Sequence, residues 1–555
     1  MLTVRQQALI AILFAGLTVA LTFPQAVRLD AVPYHSDPYF SMWRLGWVAH
    51  QIRQAPSHLF EANIFYPAHD TLAYSDAMLL PGVLLAPLFW LGIDAAVIYN
   101  VTLLAAMLLS AFTAFLLAHH LTRCVQASVI AGAIYAFAPY RFDHYMHLEL
   151  QLVFWIPLVL LVMHRLVVRP SRRTGAVLAA LMIAQALSCV YATMFVAAYA
   201  VFFVPALVWT ESATRRHVVG VLVPLTLAAS LTAVVVAPYG QAYARAAQTV
   251  GTRSRDDVGR YGASLSNYGA APPMNRLYGS SRSSRSADEL FLFPGVLATA
   301  LAVVGIIAPT SRRRFAYLAG LVIAFELSRG LNGVLYGWLY DHVLPFRALR
   351  SPARIGILVN LSLAVLAAYG TTWLLPRLGP WSKICGVALI GLVAAEYASA
   401  PPLTPIIRPA LVDAWLSRQA PSVIAQMPVA SPDTLGQLFD WIYMVQGLGH
   451  FQRMVNGYSG YPPASYYAMR DSMEGFPDQR SIEFLRRQRV DYVVLRESGY
   501  TSERWSELTA QLRAAPELIF VSAFPSAPHA ADLVYKINRC GADTGRTTVP
   551  DVGCR

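Results

Sequence analysis

The chain has 555 residues, of which 56% are hydrophobic and only 13% carry a charged side chain. Soluble globular proteins have about a quarter of their residues charged, so this composition excludes an ordinary soluble protein and indicates a polytopic membrane protein. The net charge of +12 does not indicate nucleic-acid binding, because the basic residues form short clusters between apolar segments and not one continuous basic face.

The first apolar segment follows Arg5 and has the form of a signal sequence. No small-residue cleavage site precedes the aromatic-rich segment after it, so we predict an uncleaved first span. A spanning helix needs about 20 predominantly apolar residues. The predicted spans are residues 7–24, 95–118, 126–139, 150–168, 174–190, 191–209, 217–238, 290–309, 315–329, 354–375 and 382–399.

The apolar segment 78–92 decides the topology, because every later loop changes side if this segment spans. It is short and contains Pro81 and Pro87, which favours a re-entrant or interfacial helix. If it does not span, the basic clusters all fall in cytoplasmic loops, as the positive-inside rule requires. These clusters contain Arg123, Arg165, Arg169, Arg172, Arg173, Arg215, Arg216, Arg312, Arg313, Arg314, Arg377 and Lys383. We therefore predict eleven spans with the N-terminus in the cytoplasm.

This topology places four polar regions of a membrane domain 1–399 on the outer face. They are the first loop 25–94, the turn 139–149, the long loop 239–289 and the segment 330–353.

A second domain, residues 400–555, is also predicted to lie on the outer, periplasmic face of the membrane. Segments 490–498 and 517–524 have the pattern of strands, and segments 478–489 and 502–516 have the pattern of helices. This alternation predicts a small α/β domain. Cys540 and Cys554 lie in its polar tail, where an oxidising compartment would allow them to pair.

Acidic, aromatic and basic residues are concentrated in the outer regions, where they are candidates for a site. The first loop contributes Asp37, Trp43, Glu61, Tyr66, Asp70 and Asp76, and the second contributes Asp143, His144, His147 and Glu149. In or near the last region are Arg347, Arg350 and Arg354.

The order of these features resembles the bacterial GT-C-type membrane glycosyltransferases, a superfamily that includes family 39 and the oligosaccharyltransferases. The first outer loop has an early acid in HSDPYF, a proline-containing apolar helix follows in LLPGVLLAPLFWLG, and the second turn contains YRFDHYMHLE. The segments DELFLFPG and FRALRSPARIG add to the resemblance. It implies a polytopic α-helical fold and transfer of a sugar from a polyprenyl-phosphate donor to a glycan, lipid-linked or protein acceptor, at the outer face of the bacterial inner membrane.

The resemblance also implies roles for individual residues. Asp37 is the expected base for an inverting transfer, and Asp143 and Glu149 are expected to complete the catalytic site. Arg350 and Arg354, with Arg347 as the third candidate, are expected to bind the donor phosphate. The expected substrate-binding residues are Trp43, Glu61, Tyr66, Asp76 and His147. A divalent cation, Mg²⁺ or Mn²⁺, held by Asp37, Asp143 and Glu149 is left open, because some related enzymes need a metal and others do not.

Structural roles compete with these assignments. Asp37 precedes Pro38 and could cap a helix. Phe40, Trp43, Trp47 and His50 share one side of that helix, which favours an amphipathic helix at the membrane interface. The arginines could meet lipid headgroups, and Asp76 could cap the 78–92 helix.

Two other functions are also compatible with the composition. A transporter or lipid flippase would place ionisable residues near the bilayer midplane and show internal repeats, whereas this sequence keeps its acids in one outer layer. A non-catalytic scaffold presenting residues 400–555 would not need Asp37, Asp143 and Arg350 to converge.

Overall fold

The computed structural model describes residues 2–211, 215–283, 286, 289–429, 439–527 and 530–538. Cys540 and Cys554 lie outside these ranges. A helix occupies each of the eleven segments predicted to span the membrane. These helices are Val4–Leu21, Ala95–Thr122, Val125–Phe137, Trp155–Val168, Arg172–Ser188, Val190–Thr210, Arg215–Val250, Val296–Ile307, Arg314–Ser328, Gly356–Leu374 and Ser382–Tyr397.

Six segments in the described residues are long and apolar enough to cross a membrane, so the count of eleven spans remains a prediction. The six are Val4–Leu21, Ala95–Thr122, Leu148–Val168, Val190–Thr210, His217–Val250 and Pro352–Tyr397. Segment 78–92, which was predicted not to span the membrane, forms the helix Leu79–Trp90, which has 12 residues. A helix of that length is about 18 Å long, less than the hydrocarbon thickness of about 30 Å.

The helix Arg215–Val250 has 36 residues and continues well beyond the predicted end of the span at residue 238. Hydropathy falls there, but the residues QAYARAAQTV are mostly good helix formers, so the helix continues beyond the apolar run, with Ala242 and Ala246 buried one turn apart. The first residues of the predicted loop 239–289 are therefore helical. Shorter helices elsewhere are Pro139–Asp143, Leu148–Gln151, Arg255–Arg260, Gly279–Arg282 and Leu335–His342.

The chain divides into two compact units. The first unit contains residues 1–38, 76–241 and 252–406, and the second contains residues 39–75, 242–251 and 407–555. The first unit is mainly helical, and Ala31–Pro33 and Leu403–Pro405 pair in it as two short antiparallel strands. Its centre is the helix Gly356–Leu374, which is buried from Gly356 to Thr371 and packs against the helices Val125–Phe137, Val296–Ile307 and Arg314–Ser328.

Two glycines allow two of these helices to cross in backbone contact. A Cβ atom on Gly305 would lie 1.9 Å from the carbonyl oxygen of Leu366, and one on Gly370 would lie 2.0 Å from that of Leu301. Any larger residue at either position would force the helices Val296–Ile307 and Gly356–Leu374 apart.

Glu396 caps a neighbouring helix from inside the first unit. Its carboxylate accepts hydrogen bonds from the backbone N–H groups of Val296 at 2.5 Å and Leu297 at 3.2 Å. Because this side chain is buried, Glu396→Ala should lower the free energy of unfolding by about 2 kcal/mol. The exposed cap Asp94, which accepts from the N–H of Ala96, should cost only about 1 kcal/mol when replaced by alanine. Denaturant titration in detergent measures both, and equal losses would contradict the capping role of Glu396.

The second unit contains a five-stranded mixed sheet, as the α/β pattern of the C-terminal sequence predicts. In spatial order the strands are Arg453–Met454, Val423–Met427, Tyr492–Leu495, Ala530–Ile537 and Leu518–Ala527. Its helices include Leu411–Leu416, Asp440–Gln446, Ala464–Met473, Gln479–Arg487 and Ser502–Ala514. Residues of the first loop extend the sheet edge, since the N–H groups of Phe65 and Tyr66 donate to the carbonyls of Asn456 and Met454.

The helix Asp37–Gln54 is not an interfacial helix, so that interpretation of its aromatic side is wrong. Its residues from Tyr39 to Ala49 are all buried. Phe40, Trp43 and Trp47 stack in one row, with ring centroids 5.9 and 6.4 Å apart. The indole N–H of Trp43 also donates to the side-chain oxygen of Asn63 at 3.1 Å. The aromatic periodicity therefore reflects protein packing, which hydropathy alone does not distinguish from lipid contact.

Candidate active site

Asp37 lies at the start of its helix and forms an ion pair with the second outer region. It is the first residue of the helix Asp37–Gln54. Its side chain is 14% exposed, and its Oδ2 lies 2.9 Å from Nε2 of His147. Nδ1 of His35 lies 3.7 Å from the same oxygen. Two regions far apart in sequence, the HSDPYF segment and the turn 139–149, therefore meet at one carboxylate.

The pairing with Asp37 changes the protonation of His147, whose side chain is buried. Burial alone lowers the pKa of His147, but the charge of Asp37 and its hydrogen bond outweigh burial and raise the pKa above its ordinary value. The imidazole therefore keeps its proton more readily than a solvated histidine does, and it holds the Asp37 carboxylate in one orientation.

Glu289 lies between two arginines of the last outer region. Its Oε1 accepts a hydrogen bond from Nη2 of Arg350 at 2.5 Å, and its Oε2 accepts one from Nε of Arg354 at 3.2 Å. Nη2 of Arg354 lies 3.1 Å from the same Oε2. The side chain of Arg354 is 9% exposed and that of Glu289 is 11% exposed, whereas the side chain of Arg350 is 34% exposed. Each oxygen of one carboxylate thus meets a different guanidinium.

Tyrosine rings support both arginines. The guanidinium of Arg354 lies over the ring of Tyr191 at 5.2 Å, and that of Arg350 lies over Tyr261 at 4.8 Å. The hydroxyl of Tyr191 also accepts the backbone N–H of Arg350 at 3.0 Å. Cation–π contacts of this kind stabilise a charged side chain without using up its N–H donors.

Charges couple Glu289 to His147 as well as to the arginines. Burial raises the pKa of Glu289, but the charges of Arg354, His147 and Arg350 outweigh burial and hold its pKa well below the ordinary value. Asp37, His147, Glu289, Arg350 and Arg354 therefore belong to one buried network of opposite charges in the first unit.

The remaining predicted catalytic residues are buried around the second turn. Asp143 ends the helix Pro139–Asp143, and Glu149 lies in the helix Leu148–Gln151. Glu149 is close enough for its charge to act on Arg354. Oδ2 of Asp143 lies 4.0 Å from Nε2 of His144. Burial lowers the pKa of His144 well below its ordinary value, so this second histidine is neutral.

Two predicted residues of the first unit have other contacts. Arg347 donates to the backbone carbonyls of Tyr340 at 3.0 Å and Asp341 at 2.8 Å, so its guanidinium does not join Arg350 and Arg354 at Glu289. Oδ2 of Asp76 accepts the backbone N–H of Val190 at 2.7 Å and so caps the helix Val190–Thr210. Met78, not Asp76, precedes the helix Leu79–Trp90.

Three predicted substrate-binding residues lie in the second unit. Trp43 is buried in the aromatic row described above. Glu61 pairs with His69 across 3.0 Å. Tyr66 lies beside the edge strand Arg453–Met454 and under the guanidinium of Arg453, which is 6.0 Å from its ring centroid.

No group of three or more His, Cys, Asp or Glu side chains within the described residues is arranged to hold a metal ion. Asp37, Asp143 and Glu149 are not part of such a group, and the divalent cation stays a prediction. The basic side chains around Asp37 and Glu289 suit an anion.

Glu289 is not among the site residues predicted from the sequence, although it lies in the motif DELFLFPG. An acid directly before an apolar segment, at the predicted outer end of a span, was the available signal. Its two arginine partners lie 61 and 65 residues further along the chain, and nothing local in the sequence indicates that pairing.

The sequence matches no protein-family profile and no curated protein. The fold, however, is similar to solved structures of membrane transferases. Arabinofuranosyltransferase AftD from Mycobacteria aligns with a TM-score of 0.62 and 15% identity over 96% of this chain. This chain spans 42% of the length of AftD.

An oligosaccharyltransferase from Archaeoglobus fulgidus, in the apo form, aligns with a TM-score of 0.51 and 12% identity, covering 97% of this chain and 75% of the other. ArnT from Cupriavidus metallidurans, solved with undecaprenyl phosphate, aligns more weakly, with a TM-score of 0.45 at 12% identity over 94% of this chain and 97% of ArnT. The fold assignment rests on the first two alignments. They show that the chain has the GT-C-like fold of membrane glycosyl and oligosaccharyl transferases, which confirms the predicted resemblance in fold.

Proposed function

We propose that this protein is a membrane glycosyltransferase that uses a polyprenyl-phosphate sugar as its donor. The observation that carries the proposal is the buried network in which a carboxylate, Asp37, and an arginine pair, Arg350 and Arg354, occur together in a GT-C-like fold. A glycan, lipid-linked glycan or protein at the outer face of the bacterial inner membrane is the proposed acceptor.

The proposed reaction is an inverting displacement. The acceptor hydroxyl oxygen attacks the anomeric carbon, the bond from that carbon to the phosphate oxygen breaks, and the lipid phosphate leaves with the electron pair. Asp37 takes the hydroxyl proton as general base, and His147 holds the carboxylate by donating to its Oδ2. Asp143 and Glu149 are proposed to orient the acceptor.

The two arginines are proposed to stabilise the phosphate as it leaves. A guanidinium has five N–H donors in a fixed plane, which matches the oxygens of a phosphate group. The site is largely buried, so charge stabilisation by these donors is stronger than it would be in water.

A donor-class assay tests this proposal with purified full-length protein in liposomes. We expect a labelled sugar to pass from a synthetic polyprenyl-phosphate donor to an acceptor extract, and no transfer from the corresponding nucleotide sugar. Movement of the intact labelled lipid between leaflets without any transfer would contradict the enzyme and favour the flippase alternative.

A further inference from the structure

Glu289 holds the two arginines in the way that a phosphate would. One of its oxygens accepts from Arg350 at 2.5 Å, and the other lies within 3.2 Å of both Nε and Nη2 of Arg354. A phosphate monoester or diester presents two oxygens with a similar separation and the same preference for guanidinium N–H donors. The carboxylate therefore occupies the position that a bound phosphate would take.

The backbone at Glu289 is in an uncommon conformation. Its φ angle is +67°, in the left-handed region that residues other than glycine seldom adopt. The neighbouring residues are anchored: Ser286 Oγ donates to the carbonyl of Leu290 at 2.7 Å, and the N–H of Leu292 donates to the carbonyl of Asn267 at 3.1 Å. A strained residue persists only where its contacts hold it, and Glu289 has hydrogen-bonded ion pairs with two arginines.

We propose that Glu289 is an internal competitor of the donor phosphate, which binds Arg350 and Arg354 until a phosphate displaces it. This inference rests on the proposed function for the identity of the natural ligand, a lipid-linked phosphate, but its chemistry applies to any phosphate of suitable size. Until a phosphate binds, Glu289 neutralises the desolvated Arg354 and the partly exposed Arg350 and keeps both guanidinium groups in the geometry that the phosphate needs. Glu289 must leave the two arginines before a phosphate can bind them. The apparent affinity for phosphate is therefore lower than it would be without this competition.

Phosphate binding to two variants tests the proposal. Affinity is measured by the thermal shift of detergent-solubilised full-length protein, with inorganic phosphate in one arm and a short-chain polyprenyl phosphate without sugar in the other. We expect Glu289→Gln to bind polyprenyl phosphate about tenfold more tightly than the unmodified protein. Glu289→Asp retains the negative charge but withdraws it by one methylene, and a smaller gain in the same direction is expected.

The aspartate variant separates displacement from a simple charge effect. If only net charge mattered, Glu289→Gln would gain affinity and Glu289→Asp would not, and that result would overturn the proposal. Weaker binding by both variants would also overturn it, because it would make Glu289 a residue that positions the arginines without competing. Glu326→Gln, which neutralises the carboxylate paired with Arg329 at 3.1 Å, is the matched control and should leave phosphate affinity unchanged.

The two arms distinguish this inference from the proposed function. If the variants gain affinity for inorganic phosphate but neither they nor the unmodified protein binds the lipid phosphate, Glu289 is a competitor and the proposed lipid donor is wrong. If the unmodified protein transfers sugar but the variants show no gain in either arm, the proposed function stands and the competitor role fails.

Discussion

Asp37→Asn is expected to reduce sugar transfer by about 10²- to 10⁴-fold while leaving the protein folded. Asparagine has nearly the same shape as aspartate, and its side-chain oxygen can still accept a hydrogen bond from His147. Nε2 of His147 lies 2.9 Å from Oδ2 of Asp37 in the structure. An amide cannot take the proton of the acceptor hydroxyl at neutral pH. The loss should therefore appear in kcat, with a small effect on the KM for the donor.

The comparison needs a control with the same change of charge at a remote position. Asp256 is an exposed acid in the helix Arg255–Arg260, and Asp256→Asn should transfer sugar at the unmodified rate. Thermal unfolding and gel filtration of each variant in detergent verify the fold. Sugar transfer at the unmodified rate by folded Asp37→Asn would exclude Asp37 as the base and would leave Asp143 and Glu149 as the candidates.

Arg354→Met is expected to destabilise the first unit and to abolish donor binding. It leaves the buried carboxylate of Glu289 with Arg350 as its only remaining arginine partner among the described contacts. Breaking a buried ion pair by removing one partner should cost about 3 kcal/mol, because the other charge stays desolvated. The free energy of unfolding is measured by denaturant titration in detergent, and donor affinity by the thermal shift with polyprenyl phosphate.

The double variant Arg354→Met/Glu289→Gln separates the two effects. Removing both charges should restore most of the lost stability, since neither partner is left as an uncompensated buried charge. Donor binding should stay weak, because the phosphate would still meet one arginine where the unmodified protein offers two. Recovery of donor binding in the double variant would contradict the role of Arg354 as a phosphate ligand.

The apolar segments of the sequence predicted most of the helices. A helix that is surrounded by protein and one that is surrounded by lipid both need a mostly apolar composition, so either kind is visible in the sequence. All eleven predicted spans are helical, and the short helix Leu79–Trp90 lies where the prolines and the length of segment 78–92 indicated. Hydropathy gave a wrong prediction for the end of one helix and for the surroundings of another. The helix Arg215–Val250 continues for about three turns beyond its apolar run, and the aromatic side of Asp37–Gln54 packs in protein although its pattern also suits a membrane interface.

The sequence by itself indicated a membrane protein, located the apolar segments that form helices and predicted an outer position for the charged residues, because a linear chain displays composition and local order. Its resemblance to the GT-C-type enzymes made Asp37 the proposed base and Arg350 and Arg354 the proposed phosphate ligands. Only the tertiary structure paired Asp37 with His147, placed Glu289 between the two arginines and directed Arg347 and Asp76 to backbone groups. Ion pairs between distant segments depend on which helices pack together, and that packing is a property of the whole fold.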